Sequence, residues 1–159
     1  MDYLDLLADP AYRHMLLNHV PVIGLAVALL VLATGLALQQ RTSIYLGLVL
    51  IMLTTAVSLP VARFGDAAYP AIYDTLDGHG RAWLDHHTEI AEAWLPLLMA
   101  NAALALLGLC LGVFKRQFLI PVSLVVLLVA IGSLLAASNI ARSGGQIQHP
   151  EFRLQATPD

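Results

Sequence analysis

The sequence predicts an all-α protein, a four-helix transmembrane bundle with short cytoplasmic turns and a longer external loop. Three observations carry that prediction. The chain is 58% hydrophobic and only 12% charged, where soluble proteins run at about 45–50% and about 25%. Four apolar runs without a single charged residue or histidine, at 20–38, 44–62, 93–114 and 118–141, are 19, 19, 22 and 24 residues long. A helix rises about 1.5 Å per residue and must cross roughly 30 Å of hydrocarbon, so each run spans a bilayer once. Every charge and all six histidines then fall in the connections. The 159 residues read as a single integral membrane domain in contact with membrane lipid.

The outer arm, 1–19, opens on the acidic Met1-Asp2-Tyr3-Leu4-Asp5. It lacks the positive n-region of a cleavable signal, so the first span is expected to be retained. Asp9-Pro10 has the form of an N-cap followed by Pro at the first helical position, which predicts a short interfacial helix over 10–18. The first span ends in a turn at 39–43 bearing Arg41, and the second is followed by the connection 63–92. Gly65, Tyr69-Pro70 and Gly78-His79-Gly80 mark turns in that connection, and a helix-compatible stretch starts at Arg81. The third helix therefore begins outside the membrane and runs in. Pro96 removes the donor to the Glu92 carbonyl and predicts a kink. Lys115-Arg116-Gln117 forms the second short turn, and 142–159 is the tail.

Three of the eight Lys and Arg residues occupy the two short turns, and the other five are spread among carboxylates elsewhere. By the positive-inside bias the short turns face the cytoplasm, and both termini and all the histidines face out. The formal charge of −3 argues against nucleic acid, which binds through basic surfaces. Cys110 is the only cysteine, which excludes an intrachain disulfide or a CxxC redox pair. The absence of ionisable groups within the runs lowers the weight of pumps and ion-coupled transporters. Neither a nucleophile elbow, a P-loop nor HExxH occurs, so no catalytic residue is assigned. Gly24 with Ala28, and Gly108 with Gly112, have spacings that let helices approach closely, within the bundle or in a homo-oligomer.

At about 100° per residue, His87 shares a stripe with Ala91, Trp94, Leu98, Asn101, Ala105, Gly108 and Gly112, while Asp85, Glu89 and Glu92 lie on another face. On the first helix His19 aligns with Ala26, Ala33 and Ala37. Both stripes are small or polar and suit a bundle interior, so His19 and His87 are expected to project toward one space. A lone interfacial histidine bonds loop carbonyls and headgroups; two converging imidazoles are what a six-coordinate b-type haem requires, with ring nitrogens roughly 4 Å apart across the iron. His86 with Glu89 is a weaker pair, His79 reads as a turn residue, and His14 lies five positions from His19, off its helical face unless a break at Asn18 or Pro21 brings the two together.

His14-Met15-Leu16-Leu17-Asn18-His19-Val20-Pro21 resembles the opening His-Pro-aliphatic-aliphatic-x-His-Phe-Pro of a bacterial membrane family, domain of unknown function 2231, with Met15 and Val20 replacing its Pro and Phe. His87-Thr88-Glu89-Ile90-Ala91-Glu92 is similar to its entry into the third helix, and Gly144-Gly145-Gln146-Ile147-Gln148-His149 to its Gly-Gly-x-aliphatic-x-x-His ending. The resemblance implies a four-helix protein of the bacterial inner membrane, sometimes found beside or fused to redox modules, and singles out His14, His19, His87 and His149. It implies no established activity.

The resulting expectation is a small membrane redox protein holding haem b, or another metal, near its outer face. His19 and His87 are the first-choice ligands and His14 and His149 the reserve; Asn101 would bond a propionate or a buried water. Electrons would pass between a quinol or a membrane enzyme and an external acceptor, which includes a redox partner protein. The competing expectation is a non-catalytic accessory subunit of a larger membrane complex.

Overall fold

The computed structural model describes residues 3–154 and Pro158, and among them every regular element is helical. The helices are α1 (Tyr3–Ala8), α2 (Pro10–Leu17), α3 (Leu25–Ala37), α4 (Arg41–Ala56), α5 (Ser58–Tyr73), α6 (Gly78–Phe114) and α7 (Leu119–Gln148). A π-helical turn at Val20–Gly24 joins α2 to α3, and 3₁₀ turns occupy Arg116–Phe118 and Pro150–Phe152. Four segments are long and apolar enough to cross a membrane: Pro10–Ala37, Arg41–Thr75, Gly78–Phe114 and Arg116–Gln148. Each contains one of the four runs read from the sequence.

Local chemistry explains the boundaries. Asp9 Oδ1 accepts from the amides of Ala11 at 2.7 Å and Tyr12 at 3.3 Å, and caps α2 as its Asp-Pro signature predicts. Asp77 caps α6 through the Gly80 amide at 2.7 Å, three residues before the expected start. The α3–α4 turn closes by Gln39 donating to the Leu36 carbonyl at 3.2 Å and Gln40 to that of Gly35 at 2.9 Å, a Schellman pattern. Its left-handed position is Gln39, with φ 53°. At the other end of the molecule Arg153 donates through Nε at 2.6 Å and through its guanidinium at 2.7 Å to the Gln146 and Ile147 carbonyls, satisfying the last turn of α7.

The connection 63–92 differs from the expected loop. It is helical except at 74–77, with Gly65 and Pro70 inside α5. Gly65 is needed there for close approach rather than for a turn, because the ring of His14 lies against it. The helix also continues through Pro96.

Leu25, Ala28, Leu29 and Leu32 of α3 interlock with Ile44, Leu48 and Ile51 of α4, Ala105 of α6, and Leu119, Val126 and Ala130 of α7. A Cβ on Gly47 would meet the Leu32 backbone at 2.7 Å, and one on Gly112 would meet Leu119 and Tyr45 at 2.7 and 2.9 Å. Gly108 and Gly112 thus pack within the bundle rather than between copies. Leu30, Leu128 and Leu135 are each more than two thirds exposed. In water such a surface would drive association; in hydrocarbon it has no such cost.

Candidate functional site

The two short turns lie at one end of the bundle. The other end gathers α2, the N-terminal part of α6 and the C-terminal part of α7, because α2 packs back on α5 while α6 and α7 run beyond the apolar stretch. With 37 residues, α6 is about 55 Å long, nearly twice the hydrocarbon thickness.

His14 and His87 meet at this end. Their ring centroids are 6.3 Å apart and their planes perpendicular. Each ring is held from behind in the same manner. His14 Nδ1 lies 2.9 Å from the carbonyl oxygen of Val61; a carbonyl only accepts, so Nδ1 carries the proton. His87 Nδ1 lies 2.9 Å from Ser143 Oγ, whose own hydrogen is donated to the Ile140 carbonyl at 2.8 Å. That hydroxyl must therefore accept, and Nδ1 of His87 is again the donor. In the neutral form both rings keep the Nε2 lone pair, the donor atom of a ligating imidazole.

Glycine seats both rings. A Cβ on Gly65 of α5 would come within 3.0 Å of His14 Nδ1, and one on Gly144 of α7 within 3.2 Å of His87 Cε1. Around the pair, Arg13 covers the Phe64 ring at 5.3 Å and Arg81 that of Tyr73 at 4.6 Å, and the Tyr69 hydroxyl donates to Asp85, tying α5 to both its neighbours.

The expected pairing of His19 with His87 requires correction. His19 is exposed, as are Ala33 and Ala37 of its stripe, and the buried face of α3 is Leu25, Ala28, Leu29, Leu32 and Gly35. Two physical reasons apply. The π turn inserts an extra residue between His19 and α3 and shifts the phase on which the alignment depended. Apolarity also does not distinguish core from lipid in a membrane helix, so a small stripe need not face inward. The α6 stripe fares better: Leu98, Asn101, Ala105, Gly108 and Gly112 are buried and Asp85, Glu89 and Glu92 exposed, although Trp94 is 41% exposed.

His149 stands apart from the pair. It is exposed, lies 2.9 Å from the Glu151 carboxylate and stacks on Phe152 at 4.8 Å. The Glu151 carboxyl is held below the usual carboxylate range by its own backbone amide first and by His149 second. Asn101 is also remote: fourteen residues along α6 place it about 21 Å from His87, too far to bond a propionate there. It is 0% exposed, and neither of its amide atoms has a hydrogen-bond partner.

Val61, Gly65, Ser143 and Gly144 were not singled out as site residues by sequence reasoning. Gly144 stands in the quoted Gly-Gly stretch, and Gly65 was visible only as a turn marker. Among the described residues no three His, Cys, Asp or Glu side chains cluster in a way that could hold a metal ion. No protein-family model matches the chain, and neither the curated proteins nor the solved structures contain a match to it.

Proposed function

We propose that this protein is a small membrane redox protein in which His14 and His87 hold a b-type haem at one end of the bundle and electrons pass between a membrane donor and an external acceptor. The observation that carries the reading is the pair itself, 6.3 Å between centroids with both Nδ1 atoms engaged by protein acceptors. His14 and His87 would hold the iron through their Nε2 atoms, the nitrogens left free because both Nδ1 atoms bond protein acceptors.

The donor count favours haem over a bare ion. Zinc wants four ligands, at least three from protein in its catalytic sites, whereas this pair supplies two. A porphyrin brings four nitrogens of its own. Bis-imidazole haem supplies one-electron exchange. The chain would hold both ring planes: Val61 and Ser143 fix the tautomers, and Gly65 and Gly144 let the rings lie against the helices. By the positive-inside bias the site belongs on the outer side of a bacterial inner membrane, with both termini there.

The test is the visible spectrum of the purified protein. A Soret band is expected in the wild type and in His19→Ala, and its loss in His14→Ala and in His87→Ala. No Soret band in the wild type, with no bound metal by elemental analysis, would leave the accessory-subunit reading in its place.

A further inference from the structure

Beside the histidine pair, α6 and α7 leave a cavity of about 260 Å³. Trp83, His86 and Ile90, spaced three and four apart on one face of α6, form one wall; Asn139, Arg142, Ser143 and Gln146 of α7 form the other, and Leu154 and Pro158 of the tail line the cavity as well. We infer that this cavity binds the headgroup of a membrane quinone or quinol. The inference rests on the redox reading above for its choice of ligand and takes that reading one step further, to the electron donor.

Four features point to this class of ligand. The cavity is smaller than the sites of about 300–1,000 Å³ that take drug-sized molecules, so it fits a single ring and not a macrocycle. Its polar groups oppose each other across the gap, His86 on one helix and Asn139 with Arg142 on the other. A 1,4-quinone likewise carries its two oxygens on opposite edges of one ring, and a histidine can donate to the quinone or accept from the quinol. On the His86 wall an aromatic and an aliphatic side chain, Trp83 and Ile90, supply apolar surface beside those groups, with the Arg153 guanidinium over the Trp83 ring at 5.8 Å. Trp83 is 4% exposed and meets the His86 ring edge-on at 5.7 Å, so that wall is already set.

Position agrees with chemistry. Ile90 lies just before the apolar run that begins at 93, and Asn139 just inside the end of the run that closes at 141. The cavity therefore sits at the depth where a quinone head emerges from the bilayer while its tail remains in hydrocarbon. It also adjoins the cofactor candidate through two residues: His86 precedes His87 in the chain, and Ser143 lines the cavity while accepting from His87 Nδ1. A phospholipid headgroup would call for several cations. Among the lining residues only Arg142 carries a fixed positive charge, without an ion-pair partner among the described residues, and the neighbouring Arg153, over the Trp83 ring, is engaged by the Gln146 and Ile147 carbonyls.

The experiment uses the full-length protein in nanodiscs with Trp94→Phe, so that Trp83 is the only indole. Titration with a short-chain ubiquinone should quench its fluorescence saturably, and Asn139→Leu combined with Arg142→Leu should weaken the apparent affinity at least tenfold. Both residues are exposed, so the double variant should elute as the parent does. Should it misfold, Ile90→Phe fills the cavity without removing a polar group or adding an indole and should also abolish saturation. Quenching that never saturates, or that is equal in these variants, overturns the proposal. So does saturable quenching by a short-chain phosphatidylglycerol with none by the quinone, which would mark a lipid headgroup site. A Soret band without quinone binding sinks this inference alone; quinone binding without a Soret band sinks only the haem.

Discussion

The two ends of this bundle use the same residue for opposite purposes. At the end of the short turns, glycines admit backbone and aliphatic atoms: Gly35 meets the Ser43 and Ile44 backbone, Gly47 the Leu32 backbone, and Gly112 the side chains of Leu119 and Tyr45. At the other end Gly65 and Gly144 admit imidazole rings. A missing Cβ brings helices together in the first case and seats a chemically active side chain in the second. The helices cannot separate to relieve a clash at the packed end. At the histidine end a ring can shift by a few tenths of an ångström.

This difference predicts a graded response to alanine. Gly47→Ala should have the largest effect, because its new methyl meets main chain on a neighbouring helix; overpacking of this kind costs about 1–3 kcal/mol, and thermal unfolding in detergent should show the upper end. Gly65→Ala and Gly144→Ala should cost less than about 1 kcal/mol, yet, on the proposed haem reading, lower haem content per protein as their rings are displaced. If all three alanines were equally destabilising, the contrast between the ends would fail.

Ser143→Ala sharpens the same contrast without touching packing. It removes the acceptor that orients His87; on the proposed haem reading, loss of such a partner should cost about 10–100-fold in affinity, read by titrating haem into the purified protein. Asn101→Leu probes the middle of the bundle. A buried amide without partners carries a penalty of about 1–3 kcal/mol, so this near-isosteric apolar replacement should raise the unfolding midpoint; a fall would mean that the amide is partnered when the protein works.

The smallest effects belong to the ends of the chain path. Gln39→Gly relieves a left-handed residue and should add about 1 kcal/mol to stability. Glu151, with its carboxyl held below the ordinary range, contributes to tail docking above the unfolded-state value and loses that contribution as pH falls through the folded one. His149→Gln should move the Glu151 titration, followed by NMR, part of the way up, since the backbone amide remains.

Much of this was legible in the sequence. Span number and approximate limits follow from uncharged runs, because hydrocarbon thickness fixes a length and a composition together. The α2 cap was readable from Asp9-Pro10, and the inward face of α6 from its acids, because carboxylates must face water. The partner of His87 was not readable. It depended on the π turn at Val20–Gly24, on α2 folding back against α5, and on Gly65 lying inside a helix, all of them long-range arrangements.

By itself, then, the sequence determined the solvent: 58% apolar content in four uncharged runs admits only a membrane-spanning helical protein, since backbone groups in hydrocarbon must be satisfied within each segment. Only the tertiary structure decided which histidine meets His87. Helical phase is additive along a chain, and one extra residue in a turn rotates everything beyond it, so His14 and not His19 reaches the second ring.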